Sequence, residues 1–235
     1  MHHTGSAPAA EDSPALAAPV PARQPWPGLN PWWSLAAAVA AGLALAGAFP
    51  PFGFWPLAAA GPALLVLAIW GKRRLATFTL ALACGLVFFV TLLSWLVNVA
   101  WYAWLALGLA EALVFAVLAL ALRPLLRLPV WPLAVAGWWV AQEAVHDRFP
   151  WGFPWGRLAM SQPDAPTAGW VAIGGPTLLT FLLALAGAGL AYLAIEARAD
   201  WRSRISGLAV AAVTCGLVLA GNLAWSPPSG PARTT

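Results

Sequence analysis

Apolar residues fall into seven long blocks along the chain, at 32–49, 53–70, 75–98, 101–122, 130–146, 167–197 and 205–225, and polar residues are largely confined to the gaps between them. No block alternates apolar and polar positions with the period of two that marks a half-buried strand, so the chain reads as helical. Crossing a bilayer takes about twenty helical residues, and the blocks predict an all-α integral membrane protein, a bundle of about seven transmembrane helices. The block at 130–146 is short and its last turn is polar. The block at 167–197 is long, and Gly174-Gly175-Pro176 predicts a break or kink near one end. Pro56 and Pro62 predict an irregular start to the second block. Ala36, Ala40, Ala44 and Ala48 form a stripe at spacing four in the first. That stripe favours a close-packed bundle helix over a cleaved secretory signal, for which the long preceding region with its single Arg23 is a poor start.

Between the fifth and sixth blocks lies 143–162, EAVHDRFPWGFPWGRLAMSQ. Pro150 and Pro154 remove backbone donors, and Gly152 and Gly156 loosen the rest, so this stretch cannot itself be a spanning helix. It carries Phe149, Trp151, Phe153 and Trp155 beside Glu143, His146, Asp147, Arg148 and Arg157. Rings with one wet and one greasy side belong at the edge of a bilayer. The stretch therefore reads as a structured Trp/Pro-rich loop at the outer membrane surface. Composition favours a loop that only anchors the interface, while its length beside the other connections argues for a mouth that receives lipid chains.

Composition narrows the class. The 235 residues are 61% hydrophobic and 9% charged, against about 25% charged in soluble domains. The formal charge of +4 comes from few residues and reads as membrane topology, not as a nucleic-acid footprint. Lys72, Arg73 and Arg74 follow the second block, Arg123 and Arg127 the fourth, and Arg198, Arg202 and Arg204 the sixth, while Arg23 precedes the first. The gaps after the first and third blocks carry no Lys or Arg. The positive-inside rule then predicts a multi-pass membrane protein with its N-terminus in the cytoplasm and its C-terminus outside. Residues 1–30, rich in Ala and Pro, read as a disordered tail, 31–226 as the transmembrane domain and 227–235 as a linker. Cys84 and Cys215 each lie inside an apolar block, where a thiol stays inert. No cofactor or metal site is indicated.

Several motifs resemble one family in order along the chain. Glu143, then Gly152-Phe153-Pro154-Trp155, then Ser161-Gln162 is similar to the membrane domain of the bacterial apolipoprotein N-acyltransferases. Phe49-Pro50-Pro51-Phe52-Gly53-Phe54-Trp55-Pro56-Leu57-Ala58 resembles that family's first outer turn, Ser94-Trp95 is a weaker match, and Gly174-Gly175 with Phe181-Leu182-Leu183 resembles the segment after the loop. His146 stands where the family usually has Arg, and Met160 where it usually has Tyr. The resemblance implies transfer of an acyl chain from a phospholipid, through a cysteine thiol, to the amino group of a lipoprotein's N-terminal diacylglyceryl-cysteine. It also implies that the membrane is the bacterial cytoplasmic membrane and that a soluble nitrilase-like domain with a Cys, Glu and Lys does this chemistry. No such domain is recognisable in these residues. No catalytic residue is carried over, and the chain by itself is expected to be inactive.

The expected partners are therefore membrane phospholipid and a diacylglyceryl-lipoprotein, together with a separate nitrilase-like chain or, if the protein is an anchor or scaffold, a partner such as a polyprenyl-phosphate mannose synthase. The candidate lipid- and substrate-binding residues are Glu143, Trp151, Phe153, Pro154, Trp155, Ser161, Gln162 and Glu111. Glu111 lies mid-block and must face the bundle interior or a wet cavity, where it either serves a site or only fixes packing. Glu143 and His146, one turn apart, are either an acid–base pair or a hydrated helix end in which Arg148 balances Asp147. Trp155 either touches acyl chains or anchors the interface. A small transporter is disfavoured because the chain shows no pair of related halves.

Overall fold

The computed structural model describes residues 26–149 and 152–196, with isolated positions between 205 and 221. Among the described residues all regular structure is helical: α1 (Pro31–Ala48), α2 (Leu57–Ile69), α3 (Arg74–Leu92), α4 (Trp101–Ala119), α5 (Leu122–Leu125), α6 (Trp131–His146) and α7 (Trp170–Glu196), with 3₁₀ turns at Ser94–Asn98, Pro154–Gly156 and Leu158–Ser161. Four helices are long and apolar enough to cross a membrane: Pro31–Ala48, Arg74–Leu92, Trp101–Leu125 and Trp170–Ile195. The second and fifth blocks give helices of 13 and 16 residues, each short of a straight crossing. The seventh block falls almost wholly outside the described residues, as do 1–25 and 227–235.

Helix ends follow local chemistry. Asn30 caps α1, its side-chain oxygen accepting from Trp33 N at 3.0 Å, and Pro31 occupies the first turn, where no donor is lost. α7 is interrupted where the two glycines predicted it, with Gly175 at φ +69° just before Pro176. The third block does not run on as one helix to residue 98; it tightens into the turn Ser94–Asn98.

α4 shows how the bundle sorts its surfaces. Leu105, Leu109, Leu113 and Val117 are exposed at spacing four, while Gly108, Glu111, Ala112, Phe115 and Ala116 are buried. The outward stripe is purely apolar and the inward stripe carries the helix's one charge, the inverse of a water-facing helix and the pattern lipid demands. α1 packs on α2 and α3, α3 on α4, and α7 joins α2 to α6. Small residues allow these approaches. A Cβ at Gly42 would lie 2.5 Å from Cys84 O, and one at Gly187 would lie 2.4 Å from Ala59 O. Of the expected alanine stripe, Ala44 and Ala48 are buried, Ala40 is half-buried and Ala36 is exposed, while Gly42 is the residue that lies against α3.

The helices alternate in direction, which sorts the connections to two ends. The start of α1, the α2–α3 gap, α5 and the start of α6 share one end. The turn 49–56, the turn Ser94–Asn98 and the stretch after α6 share the other, about 28 Å away along α4 at 1.5 Å per residue.

Candidate functional site

α6 ends at His146, and the chain reverses immediately. Phe153 N donates to His146 O at 2.8 Å, closing the turn. Gly152 takes φ +70° there, and a Cβ on it would sit 3.1 Å from Asp147 O, so glycine suits the position on both counts. Pro150 and Trp151 lie outside the described residues.

Glu143 anchors the far side of the loop. Its Oε1 accepts the backbone N–H of Leu158 at 2.9 Å and its Oε2 the Thr180 hydroxyl at 2.9 Å. The Thr180 oxygen in turn accepts from Ala159 N at 3.3 Å. One carboxylate on α6 and one hydroxyl on α7 thus satisfy two successive loop donors that would otherwise be buried unpaired. Leu158 N and Ala159 N belong to a 3₁₀ turn, whose first donors have no partner within it.

A second knot ties the loop to the turn before α2. The Gln162 amide nitrogen donates to Trp55 O at 3.3 Å and to Ser161 Oγ at 2.7 Å. Thr167 Oγ1 donates to Gln162 Oε1 at 2.9 Å, and Ser161 Oγ donates to Leu158 O at 2.7 Å. Every polar atom of Ser161 and Gln162 named here is engaged inside the protein, and both residues are buried.

The helix end that carries Glu143 and His146 is buried. Asp147 pairs with Arg157, not with Arg148; Arg157 Nε donates to Asp147 Oδ1 at 3.0 Å and its terminal nitrogen to Oδ2. Arg148 donates instead to Ala144 O at 2.9 Å. Nor does His146 pair with Glu143. Its Nδ1 donates to Gln142 O at 2.9 Å, because a carbonyl can only accept. Its Nε2 is hydrogen-bonded to the Glu111 backbone O at 3.4 Å and lies equally 3.4 Å from Glu111 Oε2. Both Glu111 carboxyl oxygens are buried without a hydrogen bond, so the imidazole is the group that meets them. The Phe89 ring stacks on His146 at 5.6 Å and 21°. Beside it lies a cavity of about 20 Å³ lined by Phe89, Phe115, Trp139, Glu143, His146 and Arg157, large enough for one water.

The aromatic residues divide. Phe153 packs against the core, whereas Trp155 is 50% exposed and contacts Trp95 at 4.9 Å and Phe153 at 5.2 Å. Met160 and Phe149 are exposed on the same loop. Among the expected site residues, Glu143, Ser161 and Gln162 converge on the loop's interior, Phe153, Pro154 and Trp155 on its first 3₁₀ turn, and Glu111 lies behind His146. Thr180, Thr167 and Arg157 were not singled out. A lone threonine in an apolar helix is an ordinary signal, and Arg157 reads as a loop charge until Asp147 is seen beside it. No group of three or more His, Cys, Asp or Glu side chains converges on a metal geometry among the described residues.

Known proteins resemble this chain consistently. A family model for the apolipoprotein N-acyltransferase N-terminal domain matches residues 41–189. An apolipoprotein N-acyltransferase of Pseudomonas syringae pv. tomato is 34% identical, with 89% of this chain and 43% of the relative covered. One from Azotobacter vinelandii is 33% identical over 82% of this chain and 40% of its own length. One from Mycolicibacterium smegmatis is 38% identical over 72% of this chain and 29% of its own length. The chain thus spans less than half the length of the curated relatives it matches.

Proposed function

The chain belongs to the apolipoprotein N-acyltransferase family, and from that premise we propose that these residues receive phospholipid and the lipidated N-terminus of a lipoprotein at the loop end of the bundle. The single observation that supports this is the way the loop is held. Leu158 and Ala159 are clamped to α6 and α7 through Glu143 and Thr180, while Trp155 and Met160 are left facing out. An apolar surface on a rigid support is what a diacyl group needs, because ordering a floppy loop would oppose binding. Glu143, Ser161, Gln162 and Glu111 act as positioning residues in this reading; Trp155, Pro154 and Phe153 supply contact, with Trp151 beside them in sequence. In this reading the loop faces the outer leaflet of the cytoplasmic membrane and the multi-pass bundle has its N-terminus in the cytoplasm, which the distribution of Lys and Arg supports.

The acyl-carrying thiol is supplied from outside this site. Cys84 is wholly buried in α3, and no cysteine lines the loop cavity. The physical demand of acyl transfer is a thiolate with a carboxylate and a cation in reach, and no such set converges among the described residues. The test is to reconstitute the 235-residue protein in phospholipid vesicles with a labelled diacylglyceryl peptide. Retention of the peptide without acyl transfer is expected, with retention falling about tenfold in W155A, the loss of one large apolar anchor. Equal retention by W155A would remove the loop from the binding surface, and turnover by the chain alone would place the chemistry inside it.

A further inference from the structure

The end of the bundle away from the loop gathers cations and leaves them unneutralised. Two clefts open there. The larger, about 520 Å³, is walled by Lys72, Arg123 and Arg127 together with Trp26, Trp70 and Leu126. The smaller, about 350 Å³, is walled by Arg74, Arg123 and Arg127 with Leu120 and Pro124. Arg123 and Arg127 stand between the two and serve both. No acidic residue lines either cleft. Among the described residues the ion pairs are Glu111 with His146 and Asp147 with Arg157, both toward the opposite end.

Two of these cations are held by neutral groups. The Lys72 ammonium donates to Leu29 O, and Arg123 Nε donates to Lys72 O at 3.0 Å. Carbonyls orient a cation without cancelling its charge. The Arg123 bond uses Nε, which leaves the two terminal nitrogens as an open fork. The Arg127 guanidinium makes no hydrogen bond or ion pair with the described residues. Like charges facing one cleft repel, and an anion between them removes that repulsion.

The walls also specify what carries the anion. Trp70 Nε1 donates to Trp26 O at 3.2 Å, and the Trp70 ring meets Trp131 at 5.4 Å, a tryptophan cluster of the kind enriched at membrane interfaces. Ile69, Leu120 and Leu126 continue each cleft as apolar surface. A soluble phosphate would gain nothing from those walls; a phospholipid would use both parts. Arginine forks suit phosphate geometry, and basic pockets between membrane helices are where anionic headgroups settle.

We propose that the two clefts bind the phosphates of an anionic membrane phospholipid, with Arg123 and Arg127 shared between them. Two adjoining positions, one completed by Lys72 and the other by Arg74, favour a headgroup with two phosphates, cardiolipin, over a single-phosphate lipid. This site is distinct from the loop and does not depend on the acyl-transfer reading.

The test is lipid retention. The purified chain is placed in nanodiscs of phosphatidylcholine doped with labelled cardiolipin or phosphatidylglycerol, and bound lipid is measured after exchange into detergent. Cardiolipin should be retained at least about tenfold over phosphatidylcholine, one to two charge-assisted hydrogen bonds' worth. R127Q, which breaks no internal bond, should lower retention several-fold, and R123Q/R127Q should abolish the preference. Inorganic phosphate at millimolar concentration should displace little. Unchanged retention in R127Q, retention of phosphatidylcholine equal to that of cardiolipin, or full displacement by inorganic phosphate would each overturn the proposal, the last by showing a site for the free anion.

Discussion

At the loop end, Glu143, Thr180, Ser161, Gln162 and Thr167 are paired with one another or with backbone, and Asp147 is matched by Arg157. At the basic end, Lys72 and Arg123 lean on carbonyls, and Arg74 and Arg127 meet no carboxylate among the described residues. Polar groups of the first kind hold structure and have little left to offer a ligand except the shape they impose. Carbonyls leave the charges of the second kind uncancelled, and Arg127 has no bond to the described residues at all, so these charges are available to what lies outside. The loop's polar residues should therefore be read through stability, and the far cluster through binding.

Removing Glu143 should break that division most severely. E143A leaves Leu158 N–H and the Thr180 hydroxyl without acceptors in a buried site, a loss on the order of 3 kcal/mol. E143Q is the informative partner. Its carbonyl can accept from Leu158 and its amide can donate to the Thr180 oxygen, so both bonds have a replacement and most of the stability should return. Unfolding in detergent, followed by tryptophan fluorescence, reads both. Equal destabilisation by the two variants would mean that the charge itself matters and that the clamp is not the whole role of Glu143.

Gly152 tests the backbone of the same loop. Its φ of +70° and the 3.1 Å approach that a Cβ would make to Asp147 O both act against a side chain. G152A should cost about 1–2 kcal/mol, and a neutral result would show that the loop can re-form its turn.

Much of this was legible beforehand, for identifiable reasons. The apolar blocks, the break at Gly174-Gly175 and the burial of Glu111 follow from hydropathy, backbone chemistry and the cost of a carboxylate in lipid, all local properties. The partner of Glu111 was not legible, because His146 lies 35 positions away on another helix and the nearer Glu143 offered a plausible alternative. The same holds for Asp147, where Arg148 is next in sequence but Arg157, brought back by the Gly152 turn, has the geometry. Helix length was legible less well than helix position: 53–70 yields a helix of 13 residues that starts only after Pro56, and 130–146 one of 16 that fills nearly the whole block, both short of a straight crossing.

The Asp147–Arg157 pair should matter less than either change above. Its side chains are 15% and 26% exposed, so water screens part of the attraction despite the two-point contact. D147N should cost about 0.5–1 kcal/mol, measured by the same unfolding transition, and the loss should shrink as salt is raised. A larger loss that ignores salt would move the pair into the loop's buried framework.

The smallest effect sharpens the contrast most. R127Q removes a full charge, yet the guanidinium has no bond to the described residues that would be broken. If the basic end faces outward in function, the unfolding transition in a neutral detergent should stay within about 0.5 kcal/mol of the parent. Relief of repulsion from Arg123 and Lys72 could even raise it slightly. The same measurement with an anionic phospholipid added separates the two kinds of polar group: the parent should gain stability by mass action, since only its folded form presents the cleft, and R127Q should gain less. E143Q, altered only at the far end, should gain as much as the parent. A loss of stability in R127Q without lipid would place Arg127 among the groups that hold the fold, and the distinction between the two ends would not survive it.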